Sequence, residues 1–469
     1  GPYGTQVVNN VKSFFRKNLV QLRDDVVEQN GSIITNPKVW EASGHLSSFG
    51  DFILTTKKSK TKLRADHFIE DALGIPTDGM GAKEIKELIK KNNLKYKGEE
   101  FEEIKDFNLL FPVRVGADES NDNIAYLRGE TCQSVFPNFK LVQEVTRQKL
   151  PFGILQIGKS FRNEIAPRDF LFRLREFEQI ELEYFFNPKK KFEIDDKDIF
   201  KIKFNFLSSE SQENNEDKTE MVSVDDLISK NKLNEVHGYW LGKIIFLLHK
   251  KLGINLDNLR VREHVSSELS HYSAGTFDID YKYPFGFKEM VGITNRTDYD
   301  LKQHQKFSKS KLDYFDDENK EKIIPHVIEP SLGVERVFLA LLYEGYFEND
   351  KGEVILKLPV EIAPVKLAIF PLVKNDKELV GLSEKIYSQL REDFNVSYDV
   401  SGSIGRRYAR NDEIGTPYCI TVDGDSVINK DVTIRERDST KQVRVGISEL
   451  KGVLNKLVKK EICFENLVE

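Results

Sequence analysis

Two stretches of strand-like alternation, 154–164 and 177–185, carry charge where a buried sheet would carry hydrocarbon. Side chains along a strand point alternately to opposite faces. In the first stretch one face reads Ile154, Gln156, Gly158, Ser160, Arg162 and Glu164. In the second, one face reads Phe177, Gln179, Glu181, Glu183 and Phe185. Its opposite face, Glu178, Ile180, Leu182, Tyr184 and Phe186, is core-like beyond the first residue. Paired as a hairpin, the two polar faces make one platform with an arginine, carboxylates and an aromatic ring. The connection between them adds Arg168, Arg173 and Arg175. Alternation alone fits an antiparallel sheet with one solvated face. The arginines also fit a nucleotide site, since a guanidinium offers phosphate oxygens a planar fork of donors. Phe177 could then stack on a base.

The 469 residues suffice for two or three domains with sizeable cores. Apolar content of 39% and charged content of 31% are those of a soluble globular protein. No run of about 18 apolar residues occurs, so no membrane-crossing helix is expected. The net charge of −6 excludes a chain coated in basic residues but leaves local phosphate-binding patches open. Cys132, Cys419 and Cys463 are odd in number and far apart, which disfavours a disulfide framework or a cysteine-based zinc site. The reducing cytoplasm is the expected compartment.

Apolar spacing predicts helices over 7–22 and near 237–252. Residues 82–105 are charge-rich and read as a small helical insertion. Residues 187–232 are the most polar part and read as a second, partly loose insertion. Gly352, Pro359 and Pro364 punctuate a boundary. Beyond it, strands alternate with helices near 376–392 and 405–413. The last helix carries Leu450, Val453, Leu454, Leu457 and Val458 on one face, with Ser448 as its expected N-cap. The prediction is one domain over 1–360, interrupted near 82–105 and 187–232, and an α/β domain over 361–469.

The spacing Phe-Arg-x-Glu, loop, Arg-x-x-x-Phe-x-x-x-Glu over 161–181 resembles motif 2 of the class II aminoacyl-tRNA synthetases. "IEPSLGVERVFLALL" over 328–342 resembles motif 3. The resemblance then narrows. "WEASGH", "RADHFIEDAL", "FNLLF", "LRGETCQSVFPNFK", the hairpin block, "ELSHYS", "GITNRTDYDLKQH" and "GSIGRRYARNDEIGTPYCITVD" are similar to blocks of the dimeric glycyl-tRNA synthetases, in that family's order. The resemblance implies an α+β catalytic domain built on an antiparallel sheet, followed by an α/β anticodon-binding domain. It implies ATP-dependent attachment of glycine to tRNA(Gly) through glycyl-adenylate, releasing AMP and pyrophosphate. ATP is then a substrate, Mg²⁺ the cofactor, the protein a cytoplasmic homodimer, and no membrane is involved.

Residue by residue, the resemblance places Arg162 on the α-phosphate and Arg173 and Arg336 toward the γ-phosphate. Phe177 stacks on adenine and Glu164 orients the nucleotide. Asn163, Phe172, Met290 and Gly333 fall in the same ATP-binding blocks. Glu289, in "KEMVGITNR", is the acidic residue for magnesium or the ribose. Arg162, Arg336 and Glu289 are the expected catalytic residues. Glu130, Glu181, Glu329 and Ser331 are expected to hold glycine, with Arg64 toward its carboxylate. In "GRRYAR", Arg406, Arg407 and Arg410 interleaved with Tyr408 suit tRNA phosphates and bases. His45, His271 and His304 sit inside family blocks and read as structural. The first insertion lacks a cysteine pair, so no zinc is expected. Gly129, Cys132 and Ser134 stand where the family usually has Pro, Ala and Gly. The motif 1 stretch, "VVEQNGSIITNPKVW", is only loosely patterned. The alternative is a synthetase-like accessory or regulatory protein without charging activity. Retention of Arg162, Arg173, Arg336 and Glu289 argues against it.

Overall fold

The computed structural model describes residues 1–74, 80–116, 123–194, 196–214, 216–270 and 272–468. The chain divides into two compact units. One comprises Lys17–Lys251 and Asn255–Val337; the other comprises Gly1–Arg16, Leu252–Ile254 and Phe338–Glu469. This division falls at Phe338, earlier than the punctuation by Gly and Pro suggests. Helix α1 (Pro2–Arg16) goes with the later residues. It buries Val7, Val11, Phe14 and Phe15 as one stripe. The Asn10 side chain donates to the carbonyls of Ile362 and Ala363 at 3.0 and 2.9 Å.

The larger unit is built on a nine-stranded sheet. In chain order its strands are β1 (Val26–Gln29), β2 (Phe152–Phe161), β3 (Glu176–Phe186), β4 (Lys203–Leu207) and β5 (Glu220–Ser223). Then follow β6 (Leu259–Glu263), β7 (Gly275–Tyr283), β8 (Gly286–Thr297) and β9 (His326–Gly333). Their spatial order is β1-β2-β3-β9-β8-β7-β6-β4-β5. All pairs are antiparallel except β1–β2 and β4–β6. The expected hairpin is β2–β3, with Gln156 opposite Glu181 and Ser160 opposite Phe177. Helix α2 (Glu235–Phe246) packs on β8 and β9 and buries Trp240, Leu241, Ile244 and Ile245. Helix α3 (Tyr299–Ser308) follows β8, and α4 (Val334–Gly345) follows β9 directly.

Both polar stretches are more ordered than their composition suggests. Within 187–232, β4 and β5 extend the main sheet because Phe204, Phe206, Leu207 and Val222 are buried there. Within 82–105, Ala82–Lys91 is helical, but Phe101–Asn108 pairs with Gly50–Thr56 as a strand. This small sheet packs over Leu54, Ala65, Ile69 and Ile85.

The smaller unit holds a five-stranded sheet of β10 (Leu367–Pro371), β11 (Val396–Tyr398), β12 (Tyr418–Val422), β13 (Asp431–Glu436) and β14 (Gln442–Gly446). Its order is β11-β10-β12-β13-β14, parallel on both sides of β10 and antiparallel beyond β12. Helices α5 (Lys377–Leu390), α6 (Ile404–Glu413) and α7 (Ile447–Val458) accompany it. Helix α7 is capped at Gly446 without a side-chain hydrogen bond, so Ser448 lies inside the helix rather than at its cap. No helix among the described residues is long and apolar enough to cross a membrane.

Candidate active site

The polar face of the β2–β3 hairpin is not solvated. Gln156, Glu181 and Glu183 are each exposed by 2% or less. Glu181 lines a cavity of about 540 Å³ together with Arg162, Phe177, Glu289, Glu329 and Arg336, among others. Burying unpaired charge is unfavourable, so the carboxylates need partners. Most of them have several.

At one end, Glu181 is held by five donors. Its Oε2 accepts from the Thr131 backbone N–H at 2.8 Å, the Thr131 hydroxyl at 2.5 Å and the Cys132 N–H at 2.7 Å. Its Oε1 accepts from Gln179 Nε2 at 2.9 Å and Ser331 Oγ at 2.8 Å. Glu130 uses Oε1 for His45 Nε2 at 3.1 Å, Gln133 Nε2 at 3.0 Å and Cys132 Sγ at 3.0 Å. Burial alone would raise the Glu130 carboxyl; the His45 imidazole and Arg296 outweigh it and hold it well below the usual range.

Beneath Glu329 lies a residue that motif reading missed. Arg296 on β8 is 1% exposed. It donates from Nε and Nη2 to Asp300 at 2.7 and 3.0 Å, and from Nη1 to both Glu329 oxygens at 3.1 and 2.8 Å. The rings of Phe136 and Tyr272 flank the guanidinium at 5.4 and 4.0 Å. Arg296 and Asp300 stand four apart in "NRTDYDL", a block matched as a whole but not taken apart. His45 and His304 belong to the same network, His304 through Gln133 at 2.9 Å. The expectation for His271 lies outside the described residues.

The other end is cationic. Arg162 lies over the rings of Phe49 and Phe177 at 5.2 and 5.3 Å and donates to the Gly129 carbonyl at 3.1 Å. Arg336, in the first turn of α4, lies over Phe172 at 4.4 Å and is 3.0 Å from the Glu289 carboxylate. Gly333 lines the same wall. Arg173 stands 3.5 Å from Glu164. Glu289 is about half exposed, at 48%. Around Gly292, where a side-chain Cβ would come 3.6 Å from Asp278 Oδ1 and 3.8 Å from Glu289 Oε1, two carboxylates converge. That oxygen set fits Mg²⁺, which commonly takes one or two carboxylates and completes its shell with phosphate and water.

Four of the expected residues stand apart from the rest. Arg64 does not line the cavity with the glutamates. It is tied to Asp51, Asp66 and Glu164 at 2.8, 2.5 and 3.2 Å and so steadies Glu164. Asn163 is outside the cavity lining and donates its backbone N–H to the Leu109 carbonyl at 2.8 Å. Met290 is fully buried and also off the lining. Arg407 is 2% exposed and donates to the carbonyls of Pro371 and Gly402 at 2.5 and 2.9 Å. Arg406 and Arg410 are exposed, Arg410 pairing with Asp399.

The family model for the tRNA synthetase class II core domain (G, H, P, S and T) matches residues 114–346, and that for the anticodon binding domain matches 366–457. A crystal structure of prolyl-tRNA synthetase from Cryptosporidium parvum, complexed with halofuginone and AMPPNP, shares the fold. Its TM-score is 0.57 at 14% identity, over 98% of this chain and 72% of that one. Sheet, motifs and matches together define a class II aminoacyl-tRNA synthetase core joined to an anticodon-binding domain. Among curated proteins, the glycine–tRNA ligase of Mesoplasma florum is 40% identical, over 97% of this chain and 92% of its own. That of Bacillus anthracis is 43% identical over 98% and 92%. The chain belongs to the glycine–tRNA ligases.

Proposed function

We propose that the cavity joins glycine to ATP and that the chain then charges tRNA(Gly). The observation that carries this reading is the cavity's polarity: buried carboxylates at one end, arginines with aromatic rings at the other. Glutamates suit an ammonium, because charge-assisted hydrogen bonds are short and strong. Glu130 Oε2 and Glu329 receive it, while Glu181 and Ser331 close the pocket where a larger amino acid would need room. The glycine carboxylate is already ionised near neutral pH, so no general base is needed. Its oxygen attacks the α-phosphorus, and the bond from that phosphorus to the bridging oxygen breaks, releasing pyrophosphate. Arg162 holds the α-phosphate, and Arg173 and Arg336 receive the γ-phosphate end. Phe177 stacks on adenine; Glu164, Phe172 and Gly333 shape the nucleotide wall. Glu289, with Asp278 beside it, would hold Mg²⁺, which supplies charge neutralisation for the leaving group. In the second step a hydroxyl of the terminal tRNA ribose attacks the acyl carbon, and AMP leaves.

Arg406 and Arg410 face the anticodon arm, and the functional boundary falls near 360. The protein works in the cytoplasm without zinc, as a homodimer. Exposed Ile33, Ile34, Leu141 and Val145 supply apolar surface for that pairing. The test is glycine-dependent ATP–pyrophosphate exchange. Arg162→Ala should lower it by about a hundredfold, the scale for removing a preorganised charge donor. Near-normal exchange in a folded variant would sink the reading.

A further inference from the structure

Glu183 on β3 is the one carboxylate of the platform without a donor. It is fully buried, and neither oxygen has a hydrogen-bond partner among the described residues. Its carboxylate oxygen, one from Glu329 and the Cys132 sulfur lie within 4.8 Å of one another. Opposite it on β2 stands Ile154, which offers nothing polar. Among the described residues, the charged and titratable groups around the pair are Glu329 on β9, Arg296 on β8, Asp300 on α3, and Glu181, Glu130, Cys132 and Tyr272. Arg296 is the only cation near Glu329 and Glu183 in that set, and its guanidinium is already divided between Asp300 and Glu329. Among the described residues no free cation faces this carboxylate, and a proton neutralises it.

We propose that Glu183 is a positioning residue: it stays protonated and donates its O–H to Glu329, turning that carboxylate toward the substrate ammonium and against Arg296. The proposal rests on the reading of Glu329 as a glycine contact. Burial first, and then the charge of Glu329, push the Glu183 carboxyl well above the usual carboxylate range despite Arg296. A proton retained by the folded state and released by the unfolded one makes stability fall as pH rises. The fall begins above the ordinary glutamate value, about 4.3, and continues up to the raised one.

The experiment uses the full chain and the variants E183Q and E183A. Gln keeps the volume and an N–H for Glu329; Ala keeps neither. E183A should raise the KM for glycine by at least about tenfold while the KM for ATP stays within about twofold, and E183Q should recover most of that loss. Between about pH 6 and pH 9, the thermal midpoint of the natural chain should fall more steeply than that of E183Q. E183Q as damaging as E183A would mean that a charge is required, and would overturn the proposal. So would equal pH slopes, or two variants with unchanged glycine KM. If E183A does not fold, E183Q and the natural chain decide by slope and KM. Exchange that never depends on glycine would defeat the functional reading instead, while the pH slopes would still report the proton.

Discussion

Arg296 shows how a single buried cation organises several carboxylates. It is fixed by Asp300 on one side and presents Glu329 on the other, with aromatic rings on its faces. Removing one partner of such a pair leaves charge buried without compensation, which costs about 3–5 kcal/mol. Arg296→Ala is therefore expected to lower unfolding free energy in urea by that amount and to raise the KM for glycine. Arg296→Lys should recover less than half of the stability, because an ammonium cannot reach both carboxylates in the plane of a fork. A fully stable Arg296→Lys variant would show that charge, and not geometry, is what this position supplies. Cys132, one of three departures from the family pattern, adds a thiol donor to Glu130 and is buried too deeply to ionise readily.

At the scale of elements, the hairpin is clamped from outside its own ladder. Arg128 donates from Nε to the Lys159 carbonyl at 2.6 Å and from Nη1 to the Gly31 carbonyl at 2.8 Å. It passes Gly158 so closely that a Cβ there would sit 2.2 Å from its Nη2. Arg128 is 2% exposed and cannot swing away. Gly158→Ala should destabilise by about 1–3 kcal/mol, the usual range for overpacking, read as a lowered urea midpoint. An unchanged midpoint would mean that the clamp yields. The hairpin's pairing and polar face were legible in the sequence because alternation is a local property of residues 154–185. Whether that face is wet or buried was not legible. What covers it comes from Glu130, Arg296 and Glu329, which are distant in sequence. Composition also hid β4 and β5, since a few buried apolar residues suffice to anchor a strand in a polar stretch. The burial of Arg407 was hidden for a related reason: "GRRYAR" shows three arginines but not which face of α6 is packed.

Across the whole molecule, the two units separate the proposed tasks. Every proposed contact to ATP and glycine lies in the unit that ends at Val337, and Arg406 and Arg410 lie in the other. Arg406→Ala combined with Arg410→Ala should weaken tRNA binding and flatten its salt dependence, by about one counterion-linked unit for each phosphate no longer neutralised. Pyrophosphate exchange should not change. An unchanged salt slope would move the anticodon contacts elsewhere. The order of strands and longer helices after residue 364 was readable from periodicity, but the short helices Gly424–Asn429 and Glu465–Val468 were not. The membership of α1 was not, because nothing in "VVNNVKSFF" states which carbonyls Asn10 will meet. That membership has a kinetic meaning on the ribosome. Helix α1 emerges long before the residues it packs with, which begin at Phe338. At usual rates of synthesis it waits roughly 20 to 60 s with Val7, Val11, Phe14 and Phe15 uncovered, a ready handle for a chaperone while the catalytic sheet is still being made.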